Sequence, residues 1–121
     1  MQTTIQSGPG WDLVILGAEI TKAEINELEE LLQRFLAVGH YNVILDLAQV
    51  TYVGSAGISL LLRYTNAFRR WDRGDLLLAQ MPETILSLFQ VAGLVSEEKS
   101  ALSIYPSVDA AKEAATKRAS R

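Results

Sequence analysis

At 121 residues, with 49% hydrophobic and 21% charged side chains, the chain has the size and balance of one soluble globular domain. A net charge of −3 leaves no electrostatic footprint for nucleic acid, and the lack of cysteine excludes disulfides, thiolate metal sites and a cysteine nucleophile. No apolar run approaches the ~20 residues that span a bilayer, and Met1-Gln2-Thr3-Thr4 lacks the start of a signal peptide, so a cytoplasmic location is expected.

Residues 2–7 and 11–16 read as two strands, paired antiparallel through the turn formers Ser7-Gly8-Pro9-Gly10. Thr21 then reads as the cap of a helix, with Glu24 completing a capping box. Ile25, Leu28, Leu31, Leu32, Phe35 and Leu36 form its apolar stripe. Glu24, Glu27, Glu29 and Glu30 lie mostly off that stripe and read as a solvated face rather than a metal site. Gly39 ends the helix. His40, the chain's one histidine, has no partner histidine or cysteine and reads as a loop residue.

Val43-Ile44-Leu45-Asp46-Leu47 is short, continuous and aliphatic, as a strand buried on both faces is. A small-residue elbow, Gly54-Ser55-Ala56-Gly57, then opens a helix over 55–70. Ile58, Leu61, Leu62, Thr65 and Phe68 point to its core face, while Ser59, Arg63, Asn66 and Arg70 extend a polar row from Ser55. Tyr52 and Ile58 read first as buried packing, and alternatively as an exposed interface anchor beside the elbow. Ser55 has two readings: an N-cap for the first turn, or a hydroxyl that is modified or touched by a partner. Arg63, Arg69, Arg70 and Arg73 likewise read first as favourable charge at a helix C-terminus, and alternatively as a docking patch for an acidic partner.

Arg73-Gly74 closes this unit, and residues 75–80 supply another strand. Pro82 is expected at the first position of the next helix, with Gly93 as its C-cap. Residues 100–105 alternate as a final edge strand does, and an alanine-rich helix follows from Pro106-Ser107-Val108-Asp109, fraying over 117–121. The order β-β-α-β-α-β-α-β-α predicts an α/β fold with a mixed sheet. Right-handed crossovers place the elbow at 54–57 beside the turn at 17–21, on the edge where open α/β sheets bind ligands and partners.

The chemistry of an enzyme is missing. Ser55 has no histidine partner but His40, the local order is not Gly-x-Ser-x-Gly, and no Walker-type glycine loop or phospho-receiver set occurs. Anion or nucleotide binding at the elbow is a generic property of helix N-termini. Binding is therefore a better reading than catalysis, with no cofactor and no metal expected.

Three stretches resemble a known family. Val43–Leu47 followed by Tyr52-Val53-Gly54-Ser55-Ala56-Gly57-Ile58-Ser59 is similar to a hydrophobic strand, an aspartate or asparagine, a short loop and an Asp-Ser-[Ser/Thr]-Gly-Leu-Gly helix start. Gly17-Ala18-Glu19-Ile20-Thr21 resembles a Gly-Glu-Ile-Asp turn, and Leu88-Phe89-Gln90-Val91-Ala92-Gly93-Leu94 a closing Leu-Phe-x-x-x-Gly-Leu. These are the marks of the STAS domain, and within it of the stand-alone anti-sigma factor antagonists. The resemblance implies a single STAS-like domain over 1–121 with Ser55 as the phosphorylated serine. It implies a partner-binding set of Glu19, Thr21, Gly54, Ser55, Ala56, Gly57, Ser59 and Arg63. It also implies an anti-sigma factor with serine-kinase activity as partner and a PP2C-type phosphatase to reset the switch, without direct nucleic-acid contact or membrane insertion. The chain departs from the pattern at Gly54, Ala56 and Thr21, where acid, hydroxyl and acid are usual. Gly54 and Ala56 motivate the alternative of a non-phosphorylated adaptor on a transporter ATPase or in a signalling complex.

Overall fold

Val43, Ile44 and Leu45 are fully buried because β4 (Asn42–Asp46) is the middle strand of a five-stranded sheet covered on both faces. The computed structural model describes residues 3–17, 19–20, 22–91, 93 and 102–119. The strand order is β1-β2-β4-β6-β7, with β1 (Thr3–Gly8), β2 (Trp11–Leu16), β6 (Asp75–Ala79) and β7 (Ser103–Tyr105) around β4. β1 is antiparallel to β2, and all other pairs are parallel. The expected mixed sheet is therefore present.

Alternation along the central strands separates two cores. Val14, Leu16, Val43, Leu45, Leu76 and Leu78 face one way. They pack against α1 (Lys22–Ala37), α2 (Ser55–Arg69) and α3 (Glu83–Val91) through Leu28, Leu32, Phe68 and Phe89. Leu13, Ile44 and Leu77 face the other way, against Ala111 and Ala115 of α4 (Val108–Ala119). Each such leucine contributes about 2 kcal/mol by leaving water. Among the described residues no helix is long and apolar enough to cross a membrane.

Several boundaries differ from expectation. β1 extends to Gly8, one residue past its expected end, while residue 2 lies outside the described residues, and α2 stops at Arg69. Pro82 precedes α3 instead of opening it, its carbonyl accepting the Leu86 amide at 2.9 Å. Ser107 caps α4 through its hydroxyl, and Lys117 and Arg118 stay helical because Arg118 reaches the Gly74 carbonyl at 3.4 Å. Gly93, with φ 76°, closes α3 as expected. The Thr21 cap and residues 100 and 101 of the expected final strand lie outside the described residues. On α2, Leu60 and Tyr64 join Leu61, Thr65 and Phe68 in the core, while Ile58 and Leu62 sit half-buried at its margin.

The arginines after α2 divide in role. Arg69 donates Nε to buried Asp75 at 2.8 Å and Nη2 to Ser103 at 2.7 Å. Arg73 donates to the Ala67 and Arg70 carbonyls at 2.6 and 3.1 Å, so it neutralises the helix end. Arg70 instead lies over the ring of Trp71 and is exposed. Trp71 takes a left-handed backbone (φ 57°, ψ 27°), a conformation that glycine adopts without the Cβ clash. Trp71→Gly is accordingly expected to raise the unfolding free energy by about 0.5–1 kcal/mol, read from urea denaturation. At Gly74 the constraint is space. A Cβ there would lie 2.0 Å from the Tyr41 carbonyl oxygen, so the chain enters β6 in direct contact with the backbone leading into β4.

Candidate functional site

The elbow is built outward from the C-terminal end of β4. Asp46, nearly buried, accepts the Ala48 amide at 3.0 Å and the Gln80 side-chain amide at 3.1 Å, so it turns the chain out of the sheet. The Leu47 amide bonds the Ala79 carbonyl and the Val50 amide bonds that of Leu47, closing the turn over Ala48 and Gln49. Leu47 and Val50 return to the core. The chain then forms β5 (Tyr52–Val53), which pairs in parallel with β3 (Glu19–Ile20) as a separate two-stranded sheet. That pairing brings the 17–21 turn to the elbow, as the crossover argument requires.

Ser55 is not the cap of α2. Gly54 holds that position in extended conformation (φ −79°, ψ 171°) with no side-chain cap bond, and Ser55 is the first helical residue, exposed. The helix's carbonyl pairing includes Ile58 N to Gly54 O at 3.1 Å, which leaves the amides of 55–57 without helical partners. The first turn contains no acid. An exposed hydroxyl thus stands on the positive end of a helix dipole that no side chain has neutralised.

Gly57, expected in the partner-binding set, is buried, and its position has a steric reason. A Cβ there would lie 2.9 Å from Val53 Cγ1 and 3.2 Å from Ile20 Cγ2, so the missing side chain lets α2 seat on the β3–β5 pair. Gly57→Val is expected to lose about 2 kcal/mol by overpacking and to shift the amide resonances of 19–20 and 52–53.

Gly54, Ser55, Ala56 and Ser59 stand together on the surface, all but the half-buried Gly54 exposed. Glu19 brings its backbone to Tyr52; its side chain and Thr21 lie outside the described residues. Arg63, two turns along, pairs with Glu29 at 3.3 Å. The same carboxylate accepts the Tyr64 hydroxyl at 3.0 Å, tying α2 to α1. Glu29 is thereby half-buried and paired, unlike the solvated acid expected. Burial, and then the Glu29 hydrogen bond, pushes the Tyr64 phenol above its usual value.

Tyr52 corrects another expectation. It is 53% exposed, and its hydroxyl lies 3.6 Å from where a Cβ of residue 54 would stand. In a strand, side chains alternate, so a buried Val53 forces Tyr52 outward. With only two residues in the strand, the sequence alone carries no period from which this could be read. The result is an aromatic ring over Gly54, beside the serine.

At the opposite end of the sheet, Ser7 donates to Asp12 at 2.6 Å and His40 Nδ1 lies 2.9 Å from the other Asp12 oxygen. His40 is a loop residue, as expected, but one that packs on Phe35 and holds a partner.

A family model for the STAS domain matches residues 5–111. BtrV of Bordetella bronchiseptica, which carries the name of an anti-sigma factor antagonist, is 26% identical over 96 residues, or 79% of this chain and 82% of its own. Among solved structures, an anti-sigma factor antagonist from Mycobacterium paratuberculosis superposes with a TM-score of 0.77 at 19% identity, over 94% of this chain and 92% of that one. The Bacillus cell fate determinant SpoIIAA in its phosphorylated form gives 0.64 at 15% identity, over 80% and 94%. The acid-capped turn after the central strand, the small-residue helix start and the match over most of the length converge on one assignment: this chain belongs to the STAS domain family.

Proposed function

We propose that the protein is an anti-sigma factor antagonist, a binding switch without catalytic activity of its own. Its elbow face docks an anti-sigma factor that is also a serine kinase, and phosphorylation of Ser55 releases that partner. The carrying observation is the exposed Ser55 at an uncapped helix N-terminus, within a face of small uncharged residues beside Tyr52. The names borne by BtrV and by the structural neighbours support the reading.

The physics of the switch follows from that placement. Without phosphate, Tyr52, Ser55, Ala56 and Ser59 present little that resists desolvation, and Tyr52 is an aromatic anchor of the kind that dominates interfaces. Phosphate adds a charge of roughly −1.5 to −2. The open amides and dipole of α2 stabilise that charge within the folded domain, so modification does not unfold it. Against a partner surface the same charge must be desolvated, and binding is lost. A PP2C-type phosphatase restores the uncharged face.

Phosphopeptide mapping of protein isolated from its own cells across growth conditions tests the reading. One phosphate on Ser55 that comes and goes with condition supports it. A Ser55 that is unmodified throughout, in cells where the anti-sigma kinase is active, overturns it.

A further inference from the structure

We propose that the end of the domain opposite the elbow carries a second docking surface, centred on Trp71 and Arg70, that receives an acidic segment of a partner protein. The five residues of β4 separate this end from the elbow, at ~3.3 Å per residue, so the two faces can be occupied together. The proposal does not depend on the role of Ser55.

Four side chains form an alternating stack. Arg73 lies 4.3 Å from the centre of the Tyr41 ring and 5.2 Å from that of Trp71, and Arg70 lies 5.7 Å from Trp71. Arg73 is held by two backbone carbonyls, so it fixes one side of the indole. Arg70 is exposed and pairs with no carboxylate among the described side chains. The indole itself is 79% exposed, on a backbone conformation that favours glycine. A large aromatic held outward at a φ that favours glycine carries a backbone cost that two exposed cation–π contacts repay only in part, which points to use by something outside the fold.

Beside the stack lies an open cleft of about 380 Å³ whose lining includes Trp11, His40, Tyr41 and Arg73. The nearby carboxylates of Asp12 and Asp75 are turned inward, to Ser7 and His40 and to Arg69 and Ser103. The run 69–73 carries three arginines against the single acid Asp72, in a chain of net charge −3. A face that combines guanidinium forks, an exposed indole and an adjoining cleft suits carboxylates interspersed with apolar side chains. A nucleic acid would find too few cations here for its phosphates, and a membrane would find no broad apolar face.

The test is a titration of the 15N-labelled full chain with a synthetic peptide of alternating glutamate and leucine. The expected result is saturable shifts confined to the Trp71 indole and to residues 40–41 and 70–73. Trp71→Gly should weaken the peptide about tenfold, as loss of one central aromatic contact does, without lowering the melting temperature. Arg70→Glu should weaken it by a similar factor. Absence of saturable shifts, or equal affinity for Trp71→Gly, overturns the proposal. So does a stronger response to heparin or to phosphatidylserine vesicles than to the peptide, which would assign the face to a polyanion or a membrane.

Discussion

Ser55→Glu is expected to weaken binding of the anti-sigma partner by about 100-fold, close to 2.7 kcal/mol, in calorimetric titration of the purified pair. The loss comes from burying a charge at a contact that provides no counter-charge. It does not come from damage to the fold, because an acid in the first turn of a helix interacts favourably with its dipole. Thermal unfolding of the variant should therefore match that of the wild type. Ser55→Ala should bind like the wild type, since the hydroxyl is not the α2 cap and its removal costs the helix no capping bond. Equal affinity of the glutamate variant and the wild type would mean that the partner does not cover Ser55, and the switch would have to be abandoned.

Gly74→Ala should produce the largest loss of stability of any single methyl added to this chain, about 3 kcal/mol. The new Cβ would stand 2.0 Å from the Tyr41 carbonyl oxygen, and a carbonyl in the main chain cannot rotate away as a side chain does. That carbonyl also accepts the Asp75 amide at 3.0 Å, so displacing it breaks the first contact between the entries to β4 and β6. At roughly 4 °C per kcal/mol for a domain of this size, the melting temperature should fall by about 12 °C in scanning calorimetry. Gly54→Ala is the useful contrast. Its Cβ meets nothing closer than 3.6 Å, so only the cap preference is lost, about 1 kcal/mol or less. Similar losses for both variants would show that backbone crowding at Gly74 is relieved by movement of the strand.

How much of each element is legible in the sequence follows from its physics. Val43–Leu47 announced a strand buried on both faces because helices cover both sides of β4, leaving no polar alternation to confuse the pattern. The α1 stripe was equally plain. Tyr52 was misjudged because β5 is only two residues long and no period can be read from it. The cap at α2 was misplaced by one residue because serine is a good cap and glycine, which holds the position, signals less. Trp71 gave no warning, since its left-handed backbone is set by how the chain must turn from α2 into β6. The Ser7–Asp12–His40 contact was hidden for another reason. Ser7 and Asp12 face each other only once β1 and β2 pair in register, and His40 arrives only when β4 aligns beside β2. The fold was thus readable from local periodicity, whereas the details of its surface depended on register and chain reversal.

The β3–β5 pair has a consequence for how fast such a switch can act. With two residues in each strand, the sheet under Ser55 is distinct from the five-stranded platform and holds the elbow as a separate lip. Modification and partner contact happen, under the proposed function, at the same spot, and no signal has to travel through the core. Under the proposed function, the response time belongs to the kinase and the phosphatase, and the domain contributes only a ready surface whose charge is rewritten in place.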